Sequence, residues 1–168
     1  MGDSTKMKAK EKLNKMMVKI GYPDKWRTYD GLQVKAQHYV LNVMAGIEYE
    51  FKRNLARLGK EIDRTEWGMG PQTVNAYYNP LLNEIVFPAA FLKPPFFDPK
   101  ADKAVNYGGI GMVIGHELTH GFDDQGRQFD ANGNLSNWWT SDDEKRFKEL
   151  ADRFVKQYNA YIPVKDFP

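Results

Sequence analysis

Three residues that lie close together in the sequence have the types and spacing of a metal-dependent hydrolytic site: His116, Glu117 and His120. In a helix, residues four apart lie on the same face, so the two imidazoles can hold one metal ion. Glu117 is rotated by about 100° from His116 and can reach a water molecule beside that metal. This HExxH spacing predicts a zinc site with two histidine ligands and a carboxylate that takes a proton from water. The alternative is a pair of helix histidines that are hydrogen-bonded within a core.

A zinc peptidase needs a third protein ligand, and the candidates for it in this sequence are weak. Metzincin peptidases require glycine three residues after the second histidine and histidine six residues after it. Asp123 and Gly126 stand there instead, so that class is excluded. Gluzincins use a glutamate on a later helix, where Glu144 is the better spaced candidate and Glu149 is expected on the polar side. Because the spacing of Glu144 also fits a helix cap, we expect the third ligand to lie outside this chain.

Asp123 follows His120 by three residues and therefore lies near the face that carries the histidines. A carboxylate in that position can accept the N–H of a ligand imidazole and fix its tautomer. The alternative is a solvated acid at the end of the helix, where negative charge is mildly unfavourable. We predict that Asp123 supports a metal ligand.

The elements that must position these residues are mostly helical. Helices are expected over 5–20, 40–58, 106–122 and a last segment that begins at a Ser141–Glu144 capping box. Strands or hairpin arms are expected over 72–78, 84–87, 127–130 and 135–138, the last two being joined by Asn132-Gly133. The glycines within 106–122 indicate close approach of a neighbouring backbone. The predicted fold class is α+β, mostly helical, with a short β-sheet.

Composition excludes several classes of function. The chain has 168 residues, a formal net charge of +2 and no cysteine, which excludes a disulfide scaffold, thiolate metal sites and a cysteine nucleophile. Residues 1–60 are basic on balance, but the charges are spread along amphipathic helices without a nucleic-acid motif, so we expect no nucleic-acid partner. No apolar run is long enough to span a membrane, and no signal peptide is expected in this segment.

Several further motifs resemble the neprilysin and endothelin-converting-enzyme family of zinc metallopeptidases, in its bacterial oligopeptidase branch. They cover nearly the whole chain: 20–24 (IGYPD), 74–78 (VNAYY), 85–89 (IVFPA), 94–97 (PPFF), 106–111 (NYGGIG), 113–117 (VIGHE), 121–124 (GFDD) and 138–140 (WWT). The resemblance implies part of a zincin-type catalytic lobe of the gluzincin, thermolysin-like kind over residues 71–168. Residues 1–70 would then be the end of a helical lobe and its linker.

The resemblance also implies roles for individual residues. Zinc would be bound by His116 and His120, with Glu117 as the general base for zinc-bound water and Asp123 as the acid behind a ligand. The substrate backbone would be bound at an edge strand, which agrees with the general ability of extended peptides to add to a free sheet edge; the residues implied are Asn75 and Ala76. The pocket for the residue after the cut would be apolar, so cleavage on the amino side of large hydrophobic residues is expected; its implied lining is Phe91, Phe96, Met112 and Val113.

Family members are several times longer than this chain, and their third ligand lies in a downstream ENxAD-type motif. We therefore expect a partial-length fragment of a zinc-dependent endopeptidase that acts on oligopeptides, with the fragment inactive alone. The alternative is a non-catalytic folded fragment or half-enzyme that associates with itself or with the missing downstream segment. The compartment stays open between the periplasm, the cell surface and the cytoplasm of a bacterium.

Overall fold

The computed structural model describes residues 1–162. Its helices are α1 (Asp3–Lys15), α2 (Tyr39–Leu55), α3 (Lys103–Asn106), α4 (Met112–His120) and α5 (Ser141–Asn159). Its strands are β1 (Met17–Gly21), β2 (Tyr77–Asn79) and β3 (Glu84–Pro88). This is an α+β arrangement, as predicted. No helix among the described residues is long and apolar enough to cross a membrane.

The chain divides into two units. One contains Met1–Tyr22 together with the residues from Met69 onward, and the other contains Pro23–Gly68. The predicted division into lobes at residues 1–70 and 71–168 concerns the longer family fold and stays a prediction.

In the second unit, α2 confirms the helix predicted over 40–58, although it ends earlier, at Leu55. Ion pairs of Arg27 with Glu50 and of Arg53 with Glu66 fasten the flanking loops to this helix. The apolar residues of α2 are exposed: Val40, Val43, Met44, Ile47, Phe51 and Leu55.

In the first unit, a three-stranded sheet has the order β1-β3-β2. β1 pairs in parallel with β3, from Met17 opposite Glu84 to Gly21 opposite Pro88, and β2 pairs antiparallel to β3 on the other side. The central strand β3 is buried along its whole length. An ion pair of 2.6 Å between Lys19 and the buried Glu84 adds to the parallel pairing. The hydrophobic core on this sheet contains Ala76, Ile85, Phe87 and Phe91.

The helix predicted over 5–20 is wrong in its last part. α1 ends at Lys15, Met16 has an extended backbone, and β1 begins at Met17, whose N–H donates to the Asn83 carbonyl at 2.9 Å. Leu13 of α1 is exposed, and the buried residues of this helix are Thr5 and Lys12. The apolar pattern of residues 17–21 fits the periodicity of a helix and that of a strand, and pairing with the distant strand β3 selects the strand.

Two β predictions were too long. Residues 72–76 are the end of a turn and an irregular segment before β2, and the Thr73 N–H donates to the Gly70 carbonyl at 3.0 Å. In the predicted hairpin, Gly126–Gln128 is a 3₁₀ turn, and ladder pairing is limited to one antiparallel bridge between Phe129 and Leu135. Gly133 has φ of +85° at the turn between the arms, a conformation that favours glycine.

The segment predicted as one helix over 106–122 is built from three pieces: α3, a π turn over Tyr107–Gly111, and α4. The expected close approach is confirmed at Gly109, where a Cβ atom would lie 2.5 Å from the carbonyl oxygen of Phe96. The N–H of Ile110 donates to that same oxygen at 2.8 Å. The π turn therefore anchors the start of α4 to the loop after β3.

The last helix begins at Ser141, as predicted, but its cap lies one residue earlier. The Thr140 hydroxyl accepts the Asp143 N–H at 3.2 Å and donates to the Asp143 carboxylate at 2.8 Å. The predicted capping role of Ser141 with Glu144 is therefore wrong, because Thr140 already holds the extended Ncap conformation.

Candidate active site

α4 presents two imidazoles on one exposed face. The Nε2 atoms of His116 and His120 lie 3.1 Å apart, and their rings meet edge to face with centroids 4.5 Å apart. Two nitrogens that bind one tetrahedral zinc ion at 2.0–2.1 Å are about 3.3 Å from each other. The observed separation of the two nitrogens is therefore close to the one that a shared zinc ion requires.

Asp123 lies directly behind the second histidine. Its Oδ2 is 3.2 Å from His120 Nδ1, the ring nitrogen that faces away from His116. Its Oδ1 accepts the backbone N–H groups of Gln125 at 2.9 Å and Gly126 at 2.7 Å. Because two backbone N–H groups hold Oδ1, this carboxylate can present Oδ2 to Nδ1 and fix the imidazole in the tautomer that leaves Nε2 free for a metal.

Glu117 differs from its neighbours in being buried. It is 5% exposed, whereas His116 and His120 on the adjoining face are exposed. The acidic residue of the motif is therefore enclosed by protein, next in sequence to the exposed His116.

Glu144 is engaged elsewhere. It forms ion pairs with Arg127 at 2.9 Å and with Lys148 at 3.2 Å. The positive charge of Lys148, and to a smaller extent that of Arg127, lowers the pKa of this carboxyl below its ordinary value. Across residues 1–162, no three histidine, aspartate or glutamate side chains are grouped closely enough to hold a metal ion. Among the described residues, no third side chain of these types therefore joins the pair of His116 and His120.

The residues expected to bind substrate backbone lie just before the edge strand β2. Asn75 is exposed, and its Oδ1 accepts the N–H of Ala76 at 2.9 Å. Ala76 is buried in the hydrophobic core. β2 has one edge paired with β3, and α4 packs beside it, so these residues and the histidine helix belong to the same region of the unit.

Three of the four residues expected in the apolar pocket are packed together. The rings of Phe91 and Phe96 are stacked with centroids 4.3 Å apart, and Val113 packs against the same cluster. The fourth residue, Met112, is 62% exposed.

Sequence reasoning missed Lys12. This side chain is 1% exposed, and its Nζ donates to the carbonyl oxygens of Gly126 and Phe129, both at 2.7 Å. Three aromatic rings surround the ammonium at 5.6–5.9 Å: Tyr78, Phe122 and Trp138. Burial lowers the pKa of Lys12 to about 8, against the opposing influence of Asp123 and Asp130. No sequence signal distinguishes it from the other lysines of the first helix.

Tyr78 completes the surroundings of this lysine. Burial and then the negative charge of Asp123 raise the pKa of its hydroxyl to about 12, so it stays protonated. That hydroxyl lies 3.2 Å from Asn83 Oδ1 and donates to it. The ring faces the helix end at Gly121, where a Cβ atom would lie 3.4 Å from Tyr78.

Comparison with known proteins identifies relatives of the whole chain. The model of peptidase family M13 matches residues 75–167. Neprilysin-3 of Drosophila melanogaster is 44% identical over 164 residues, which cover 94% of this chain and 21% of that protein.

Solved structures agree with this similarity. The zinc metalloprotease Zmp1 of Mycobacterium tuberculosis, crystallised with an inhibitor, is 55% identical with a TM-score of 0.90 over 97% of this chain and 25% of its own. PepO of Lactobacillus rhamnosis is 40% identical with a TM-score of 0.83 over 94% of this chain and 25% of its own. The chain thus spans between a fifth and a quarter of the length of these proteins. It belongs to peptidase family M13, the neprilysin and endothelin-converting-enzyme family of zinc metallopeptidases.

Proposed function

We propose that this chain carries the zinc-binding helix and part of the substrate cleft of an endopeptidase that hydrolyses oligopeptides. The observation that supports it most is the convergence of His116 Nε2 and His120 Nε2 to 3.1 Å with Asp123 behind the second ring. A hydrogen-bonded pair of core histidines is the competing explanation, but both rings are exposed. Exposed rings with their Nε2 atoms close together suit a metal better than a core contact.

In the proposed reaction, His116 and His120 would hold a zinc ion, and the bound ion would supply Lewis acidity toward the scissile carbonyl. Asp123 holds the Nδ1 proton of His120, so that Nε2 remains an electron-pair donor. The Glu117 carboxylate takes a proton from the attacking water and then gives it to the departing amine. The buried position of Glu117 shields this proton transfer from bulk solvent. The third ligand is proposed to come from a segment outside this chain, as in the gluzincin arrangement.

The substrate is proposed to bind as an extended peptide along the outer side of β2. Asn75 and Ala76 would meet its backbone there, since edge strands pair readily with added chains. For this, the Asn75 side chain must release the Ala76 N–H that it now accepts. The cluster of Phe91, Phe96 and Val113, with Met112 at its border, favours a large hydrophobic residue on the carboxyl side of the cut.

The test is zinc titration of metal-free protein by calorimetry, together with hydrolysis of an internally quenched peptide. The His116→Ala variant should lose zinc binding, because one of two imidazole ligands is gone. The Glu117→Gln variant should keep zinc and lose turnover in the active enzyme, because Glu117 is not a ligand. His38→Ala is the matched control, since His38 precedes α2 in the other unit and should bind zinc like the wild type. Equal loss of zinc in the Glu117 and His116 variants would contradict the assigned roles.

The same preparation tests the fragment proposal. The 168-residue chain alone should bind zinc weakly and show no turnover, because two ligands leave the geometry loose. Addition of a polypeptide that carries the downstream family segment should raise zinc affinity. Tight one-to-one zinc binding with chelator-sensitive turnover by the lone chain would refute it. Light scattering distinguishes the non-catalytic alternative, in which the lone chain self-associates without any gain in zinc binding.

A further inference from the structure

We propose that Lys12 is a positioning residue for His120, acting from α1 through the loop that follows the histidine helix. The inference rests on the proposed role of His120 as a metal ligand. It begins from the place of the ammonium group, which is 1% exposed. A buried charge is costly unless it is paired or hydrogen-bonded, and the Lys12 ammonium meets this requirement through two backbone carbonyl groups.

Both hydrogen bonds of the Lys12 ammonium go to the segment after α4. Its Nζ donates to the Gly126 and Phe129 carbonyls at 2.7 Å each, and Phe129 N–H also donates to the Gly126 carbonyl at 3.1 Å. Phe122 and Trp138 provide two of the rings around the ammonium, and Phe122 belongs to the same segment. One side chain from the start of the chain thus fixes the loop over residues 122–129.

That loop in turn holds Asp123 at two points. The Gly126 N–H donates to Asp123 Oδ1 at 2.7 Å, and the Arg127 N–H donates to the Asp123 backbone carbonyl at 3.0 Å. The Arg127 N–H belongs to the same peptide unit as the Gly126 carbonyl that Lys12 binds. Because hydrogen bonds in a chain polarise one another, the ammonium strengthens the hydrogen bond from this peptide unit to the Asp123 carbonyl.

The loop reaches His120 by two routes. Asp123 Oδ2 lies 3.2 Å from the His120 imidazole, and the Gly126 backbone packs so closely on the His120 carbonyl that a Cβ atom would lie 2.0 Å from it. Movement of residues 123–126 therefore changes both the ring partner and the backbone support of this histidine.

The other end of Lys12 is fixed to the sheet. Its backbone carbonyl accepts from Asn83 Nδ2 at 2.9 Å, and Asn83 is buried with its own carbonyl bound to the N–H of Met17 at 2.9 Å. Lys12 therefore connects the start of the sheet, at Asn83 and Met17, to the loop that contacts His120. Its function is to keep the imidazole in one orientation and one tautomer before any metal arrives.

The experiment compares Lys12→Met with the matched control Lys15→Met. Lys15 lies on the same helix, but its ammonium is exposed and pairs with Glu11 and Asn132 at 3.1 Å each. The first readout is the imidazole ¹⁵N spectrum of the metal-free protein, in which the chain's three histidines give few signals. The wild type and Lys15→Met should show His120 in a single Nδ1–H tautomer, and Lys12→Met should show a mixture.

The second readout is zinc affinity by competition titration. Removal of an outer partner of a metal ligand typically weakens binding by about 10–100-fold, so one step further out we expect roughly 3–10-fold for Lys12→Met. In an Asp123→Ala background the same substitution should weaken zinc binding less than in the wild type, because only the backbone contact between Gly126 and His120 remains. A further loss as large as in the wild-type background would overturn the route through Asp123.

A purely structural role predicts a different pattern. Lys12→Met would then lower the melting temperature while the folded protein kept wild-type His120 signals and zinc affinity, and this result would refute the proposal. If Lys12→Met does not fold, Lys12→Gln carries the same expectation, since it keeps a donor for one carbonyl and removes the charge. If the wild type binds no zinc, the proposed function fails, while the His120 spectrum still decides whether Lys12 positions the ring.

Discussion

Replacing Gly126 by alanine would place a methyl group where the end of α4 already lies. The new Cβ atom would be 2.0 Å from the His120 carbonyl oxygen, 2.5 Å from the Gly121 carbonyl carbon and 2.7 Å from the Gly121 oxygen. These are backbone atoms, so no side chain can rotate away. Since nonbonded heavy atoms settle at about 3.5 Å, the loop must move by roughly 1.5 Å.

The magnitude follows from this clash. Overpacking of a well-filled interior costs about 1–3 kcal/mol in free energy of unfolding. Gly126→Ala should lie at the upper end of this range, because the atoms it would meet are backbone atoms of His120 and Gly121. For a chain of this size, about 3 kcal/mol corresponds to a fall in melting temperature of roughly 6–12 °C. The displacement also lengthens the 2.7 Å bond from Gly126 N–H to Asp123, so zinc affinity should fall by about tenfold or more.

The assay is thermal unfolding by circular dichroism with zinc titration of the same samples. Gly115→Ala is the control, because it lies on α4 and its Cβ atom would meet nothing within 4 Å. That change should stabilise the helix by up to about 1 kcal/mol, since alanine has the higher helix propensity. The reasoning fails if Gly126→Ala melts with the wild type, or if the two substitutions shift the melting temperature in the same direction.

Three further predictions concern other parts of the unit. Asn75→Ala should weaken peptide binding and turnover in the active enzyme while zinc stays bound; unchanged kinetics on a panel of short peptides would contradict it. The Thr5 and Thr140 hydroxyls hold the pKa of Asp143 at about 2, below the ordinary 3.8, so its stabilising contribution is present above pH 4 and lost between about pH 4 and 2. The stability deficit of Asp143→Asn should therefore shrink over that interval, and a constant deficit in acid unfolding would count against this account. Burial lowers the pKa of Lys12 to about 8 in the folded protein, against 10.5 in the unfolded chain. Between these two pH values the unfolded chain still binds the proton that the native state has lost, so the free energy of unfolding should rise with pH, relative to Lys12→Met. Denaturant unfolding at several pH values measures that difference, and a flat difference would be the negative result.

The parts of this molecule that sequence could predict are those decided locally. The helix around His116 and His120 needs only the four-residue spacing and the apolar pattern of its neighbours, and β3 reads as a strand because residues 84–87 combine β-branched and aromatic side chains. Placement of the histidines on one face follows from that spacing alone.

The parts that sequence could not predict are decided by distant partners. Residues 17–20 (MVKI) suit a helix end or a strand equally, and only the pairing of β1 with β3 selects the strand. The burial of Lys12 is likewise set by carbonyl groups of Gly126 and Phe129, more than a hundred positions away. The local sequence of the first helix contains no signal that indicates contact with Gly126 or Phe129.

The parallel pairing of β1 with β3 has a consequence for where this protein can be divided. The family match begins at residue 75, but the unit that holds the histidine helix also includes Met1–Tyr22. A polypeptide that starts at the family boundary would turn the central strand into a free edge, with Ile85, Val86 and Phe87 beside unpaired backbone groups, and such edges recruit strands from other molecules. Within the chain, β1 thus covers the edge of β3. A separate peptide of residues 1–22, which contains β1, is the reagent that should restore solubility by adding the missing strand.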